Sequence, residues 1–155
     1  MDAKVTLAAL ARMKRERRKS VGVVAWDYQI ARIADRAGVD FVSVGDSVGV
    51  NLWGRADPLD VTVDEMLICC KAVRRGVERA LVSCDMPFGP VQHGSDSALA
   101  AAFRLVKEGG ADMIKVDAAA EKARRGELPA IAERSPTLRL AISLRPSNGS
   151  ANGSP

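Results

Sequence analysis

The strongest constraint on the fold of this chain is a rhythm in which short apolar runs alternate with amphipathic helical segments. Val21 to Trp26 reads as a strand, and Gln29 to Ala37 as a helix stopped at Gly38. Phe41 to Asp46 is a second strand. Asp64 is the expected cap of a helix running to Arg75 and ended by Gly76. Ala80 to Asp85 follows as the third strand, then a helix from Ser97 to Glu108 stopped at Gly109-Gly110, and Met113 to Asp117 as the fourth. Near-continuous apolar strands separated by helices suit parallel strands covered on their faces, hence an α/β fold. Further on, Glu121 to Arg134 has the pattern of a helix and Leu138 to Leu144 that of a fifth strand. Residues 146–155, Pro-Ser-Asn-Gly-Ser-Ala-Asn-Gly-Ser-Pro, have the composition of a flexible tail. The sequence shows no internal repeat and no second domain.

A length of 155 residues suffices for one domain with a real core. Aromatic residues make up only 4%, so that core must be built from Val, Leu, Ile and Ala. No apolar run reaches membrane-spanning length and no signal-peptide pattern opens the chain, which leads to an expectation of a cytoplasmic protein without a membrane partner. Cys69, Cys70 and Cys84 fall on a helix and an apolar strand, as suits reduced, buried thiols rather than a disulfide framework. A single histidine, His93, and no C-x-x-C argue against structural zinc. The net charge of +4 is concentrated partly in Lys14 to Lys19. That cluster is short, lacks aromatic neighbours for base stacking and follows the helical period of Leu7, Leu10 and Met13. It reads as a solvated helix end, with cations near the negative end of the dipole, and not as a nucleic-acid surface.

Three strands end on an acidic residue: Asp46, Asp85 and Asp117. In parallel α/β folds the C-terminal strand ends face the active site. One such aspartate is readily explained as a helix cap, but three in register point to hard oxygen ligands for Mg²⁺, an ion that keeps several waters and leaves room for a substrate. Lys115 and Asp117 are two apart on the fourth strand and share a face. An inward lysine is costly to bury unpaired, so Lys115 is expected to meet a carboxylate or an anionic substrate. His93, in the loop after Pro87-Phe88-Gly89-Pro90, reads as a surface residue rather than a base.

These residues carry a resemblance. Val44-Gly45-Asp46-Ser47-Val48-Gly49 resembles the V-G-D-S-L-G segment of the ketopantoate hydroxymethyltransferases. Ala25-Trp26-Asp27-Tyr28 resembles their A-Y-D-Y segment, Ala37-Gly38-Val39-Asp40 their A-G-x-D turn, and Asp85-Met86-Pro87-Phe88-Gly89 their D-x-P-F-G. The likeness runs in unbroken order from Val5 to Ala118. It implies the first half of a (β/α)₈ TIM barrel of the phosphoenolpyruvate/pyruvate superfamily, with a short N-terminal helix. Residues 1–118 would form the half-barrel, 119–145 a continuation or a non-native segment, and 146–155 the tail. The implied reaction is Mg²⁺-dependent hydroxymethyl transfer from methylene-tetrahydrofolate to the 2-keto acid 3-methyl-2-oxobutanoate. By resemblance Asp46, Asp85 and Asp117 are the metal ligands, and Asp46, Ser47, Asp85 and Lys115 the substrate-binding residues.

The chain departs from this pattern in several places. Asp117 stands for a glutamate and is shorter by one methylene, roughly 1.5 Å of reach. Ala118-Ala119 replaces two glycines, Trp26 replaces a tyrosine, and Arg55 to Asp60 matches its loop only loosely. The family's catalytic base is a glutamate in the second half of the barrel, and no counterpart is identified here, so no catalytic residue is assigned. A divergent C-terminus and a truncated or frame-shifted tail both remain open. So do two alternatives to the transferase reading: a catalytically incompetent fragment that retains Mg²⁺ and keto-acid binding, and another carbon–carbon lyase or mutase of the superfamily. A half-barrel would expose two sheet edges and apolar side chains such as Val42, Val44 and Leu81 on its barrel side, from which a homo-oligomer is expected.

Overall fold

The computed structural model describes residues 3–119 and 140–145. Helix α1 (Leu7–Arg15) starts under Thr6, whose hydroxyl accepts from the Ala9 N–H, and it ends among Arg12, Lys14 and Arg15, cations that suit its C-terminal dipole. Then come β1 (Gly22–Val24), α2 (Tyr28–Arg36), β2 (Phe41–Val44), α3 (Val48–Asn51), α4 (Val63–Gly76), β3 (Leu81–Asp85), α5 (Phe88–Gln92), α6 (Ser95–Lys107), β4 (Met113–Ala119) and β5 (Leu140–Arg145). The five strands form one sheet in the order β1-β2-β3-β4-β5, every neighbouring pair parallel. The expected order of the first four strands holds, and β5 lies two residues beyond the start expected at Leu138. The helix expected over Glu121–Arg134 and the tail lie outside the described residues.

Several boundaries differ for local reasons. The cap of α4 is Thr62 and not Asp64: its hydroxyl accepts from the Glu65 N–H while the Glu65 carboxylate accepts from the Thr62 N–H, a complete capping box. Asp64 sits in the first turn, where a negative charge favours the helix dipole. Helix α6 begins at Ser95, two residues early, after Gly94 at φ +95°. Gly38 follows α2 at φ +86°, the left-handed conformation that a glycine takes cheaply past a helix end.

Each strand divides its side chains between two environments. Val42, Val44, Val82, Cys84, Ile114 and Val116 are buried in one cluster with Ala31 and Ala34 of α2, Met66, Cys70 and Val73 of α4, and Ala102 and Leu105 of α6. Met66, Leu105 and Ile114 are wholly enclosed, each burial worth about 1.5–3 kcal/mol. The expectation that Val42 and Val44 line the barrel side is therefore corrected, because the pleat turns them to the helices. Alternation leaves Phe41 and Ser43, Leu81, Ser83 and Asp85, and Met113 and Lys115 on the opposite face, in register as Phe41 with Leu81, Ser43 with Ser83 and Asp85 with Lys115. Gly22 makes that face possible at its edge: a β-carbon there would lie 2.1 Å from Cζ of Phe41, so the ring occupies the place of the missing side chain. Cys69, Cys70 and Cys84 are free and buried; the neighbouring Cys70 thiol and burial together hold the Cys84 thiol well above its usual pKa.

At the N-terminal ends of the strands, two carboxylates tie distant segments together. Asp35 accepts from the N–H groups of Glu78, Arg79 and Ala80 at 2.7–3.2 Å. Burial pushes its carboxyl up, but these backbone donors outweigh the burial and leave it below the usual range. Asp112 accepts from Lys4 Nζ at 2.8 Å, Arg74 at 2.9 Å and the Val82 N–H at 3.0 Å. Burial pushes its carboxyl up too, and the Lys4 and Val82 donors bring it down on balance.

Candidate ligand site at the strand ends

The C-terminal ends of β2, β3 and β4 bring four of the five expected residues to one end of the sheet. Asp85 closes β3 and stands in register with Lys115 on β4, on the face away from the helices. Lys115 Nζ donates to Asp85 Oδ2 at 2.7 Å. Asp85 is only 6% exposed, and its Oδ1 is buried too. The lysine thus meets the kind of partner that an inward ammonium requires.

The neighbouring strand end is a tight turn. The Val48 N–H donates to the Gly45 carbonyl at 3.2 Å, which leaves Asp46 and Ser47 at the two central positions. Both are half-buried. Gly45 is required here by proximity and not by its backbone angle. A β-carbon at Gly45 would lie 2.8 Å from Ser47 Oγ and 3.8 Å from Asp85 Oδ2. The hydroxyl and the carboxylate therefore flank a space that any larger residue would fill. Trp26, just past β1, donates its indole N–H to the same Gly45 carbonyl at 2.9 Å.

Asp117 lies two residues beyond Lys115 and pairs with Ser143 of β5, and its side chain lies outside the described part of the structure. Among the described residues no group of three or more His, Cys, Asp or Glu side chains is placed to hold a metal. Asp46 and Asp85 at adjacent strand ends still form a donor set of the right chemistry for Mg²⁺, which binds through one or two carboxylates and keeps water on its other positions. The space left by Gly45 beside Asp85 is consistent with such an occupant. His93 is exposed at the end of α5, with Nδ1 2.8 Å from the Gly89 carbonyl oxygen.

Two contributors were not assigned a role from sequence. Trp26 stood out only as a departure from the resembled pattern. Arg55 pairs with Glu65 at 2.5 Å, donates to the Asp60 carbonyl and lies over the Trp53 ring at 4.9 Å, and so fastens the loop between α3 and α4. Arg55, then the Thr62 N–H, hold the Glu65 carboxyl down at about 2. The T-x-x-E spacing of Thr62 and Glu65 was the signal for that anchor.

A parallel sheet clad on one face by helices, with a carboxylate–ammonium pair and a glycine turn at its C-terminal ends, defines a partial α/β barrel with a polar rim. Solved structures of the same fold include a phosphoenolpyruvate phosphomutase from Streptomyces platensis subsp. rosaceus, at TM-score 0.65 and 18% identity, covering 88% of this chain and 53% of that one. A 2,3-dimethylmalate lyase of the PEP mutase/isocitrate lyase superfamily aligns at TM-score 0.63 and 16% identity, with 88% and 52% covered. The model of the ketopantoate hydroxymethyltransferase family matches residues 4–134. A 3-methyl-2-oxobutanoate hydroxymethyltransferase of Magnetococcus marinus is 44% identical over 117 residues, and one of Gloeobacter violaceus 42% over 113. The chain belongs to the ketopantoate hydroxymethyltransferase family. It spans 44% of the length of each of these two relatives, though the alignments take in 76% and 73% of the chain itself.

Proposed function

We propose that this chain carries the metal- and keto-acid-binding portion of a 3-methyl-2-oxobutanoate hydroxymethyltransferase, with methylene-tetrahydrofolate as the one-carbon donor. The observation that carries the reading is the part-buried Asp85–Lys115 pair beside the Gly45–Val48 turn, in a chain of this family. Asp46 and Asp85 would hold Mg²⁺. Bound there, Mg²⁺ supplies Lewis acidity towards the carboxylate and ketone oxygens of a 2-keto acid. Ser47 Oγ would donate to the substrate carboxylate, and Lys115 would add a positive charge beside it. Asp117 is proposed as a further acidic contributor. Removal of the C3 proton needs a base that no residue of this chain is assigned to supply.

Calorimetric titration of the chain with Mg²⁺ and then 3-methyl-2-oxobutanoate tests this reading. The expected result is a saturable keto-acid heat that requires Mg²⁺ and disappears in Asp85→Ala while the far-ultraviolet spectrum stays unchanged. Equal affinity in Asp85→Ala would reject the role given to that carboxylate. We include a homo-oligomer in the proposal, supported by the exposed edge of β1, where Val21, Val23 and Val24 face solvent.

A further inference from the structure

We propose that Trp26 is the positioning residue of the site, acting through the Gly45 carbonyl to fix the turn on which Asp46 and Ser47 stand. The inference rests on the binding role proposed for those two residues. Gly45 is the first residue of the turn, and its carbonyl oxygen receives two donors, the Val48 N–H from within the turn at 3.2 Å and the Trp26 indole N–H from outside it at 2.9 Å. The first bond closes the turn. The second ties it to the end of β1, a strand 19 residues back in sequence. Trp26 is itself anchored: it is half-buried against the main core, and the preceding Ala25 N–H donates to the Ser43 carbonyl at 3.0 Å.

The other backbone bonds of the turn run forward into α3: the Gly49 N–H to the Asp46 carbonyl at 3.1 Å, and the Val50 and Asn51 N–H groups to the Ser47 carbonyl at 3.1 and 2.8 Å. Gly45 has no side chain, and Ser47, which precedes α3, makes no capping bond to that four-residue helix. The Trp26 donor holds the opposite end of the turn, at Gly45, from the end of β1. A rotation of the Gly45–Asp46 peptide would swing the Asp46 carboxylate and the Ser47 hydroxyl together, away from Asp85. The indole N–H opposes this rotation.

The test removes one hydrogen-bond donor and keeps the shape. On a Trp53→Phe background, residue 26 is replaced by 3-benzothienylalanine, in which sulfur stands for the N–H; Trp26→Phe is the companion variant. Two quantities are measured on the full chain: hydrogen exchange of the Val48 amide without metal, and the Mn²⁺ dissociation constant from paramagnetic broadening. Val48 exchange is expected to quicken at least about tenfold, and Mn²⁺ binding to weaken about two- to tenfold, the range for one neutral hydrogen bond. Amides of β3 and α4 should exchange as before, which separates a local effect from general destabilisation. Unchanged Val48 exchange overturns the proposal, and so does faster exchange with equal Mn²⁺ affinity. If the parent binds no Mn²⁺ while the substituted chains still exchange faster at Val48, the tether stands and the metal-binding reading falls.

Discussion

The two ends of this sheet use the same residue type in opposite ways. At the N-terminal ends, Asp35 and Asp112 are surrounded by donors: three backbone N–H groups for the first, and two cations and a backbone N–H for the second. Both bridge segments far apart in sequence, and both carboxyls are held below their usual range. At the C-terminal ends, Asp85 meets a lysine side chain that can swing away, and Asp46 rides on a turn beside a glycine. A carboxylate locked by backbone donors does structural work; one facing a movable ammonium can exchange it for a ligand. The contrast fits the general division of barrel folds into a stability face and an activity face.

Substitutions can break this contrast. The largest expected effect is at the ligand end: Asp85→Ala should weaken Mg²⁺ binding by more than about 100-fold, since even supporting residues of metal sites contribute 10- to 100-fold. Its urea midpoint should move little, because Lys115, 31% exposed in its side chain, can turn to water. Next, Asp35→Ala should lower stability by about 2–3 kcal/mol in urea denaturation by leaving the Glu78, Arg79 and Ala80 amides without their acceptor. Its Mg²⁺ affinity, measured well below the midpoint, should match the parent. A loss of binding in Asp35→Ala with intact stability would erase the distinction between the two ends.

Acid should sharpen it. Asp35, Asp112 and Glu65 have folded pKa values below their unfolded ones, so their contribution is complete above the unfolded values and is lost as pH falls through the folded ones. For Glu65 the window runs from 4.5 down to about 2. Stability should therefore fall across that window, and Glu65→Gln should flatten the lower part of the fall. A parallel displacement of the whole curve, with its slope intact, would contradict the assignment. The smallest effect belongs to the α4 cap, where Thr62→Ala should cost about 1 kcal/mol by thermal denaturation.

Much of this was legible because it is local. The apolar runs gave strand order and direction, and the cost of an inward lysine left unpaired anticipated the carboxylate that Lys115 meets in Asp85. Two kinds of information were not. The alternation in Phe41-Val42-Ser43-Val44 separates two faces but does not say which one meets the helices; the burial of Val42 and Val44 in one cluster with residues of α2, α4 and α6 does. Bonds across the fold were equally hidden. Nothing local joins Asp35 to Ala80, 45 residues on, or Trp26 to the Gly45 carbonyl. The cap of α4 was a different error: Thr62 with Glu65 was a complete signal, and Asp64 was a competing residue of the same kind.

The Phe41 ring filling the place of a side chain at Gly22 has a consequence for how this sequence can vary. With 2.1 Å between a β-carbon at 22 and Cζ of Phe41, alanine can enter at 22 only if the Phe41 ring moves out of its place. The reverse order is open: Phe41 can first shrink to leucine or valine, and alanine can then follow at 22. The two positions thus behave as one heritable unit with a directed order of change. A library randomised at both sites and sorted for folded chains should recover Gly with Phe, or a larger residue at 22 with a smaller one at 41, and almost nothing in between.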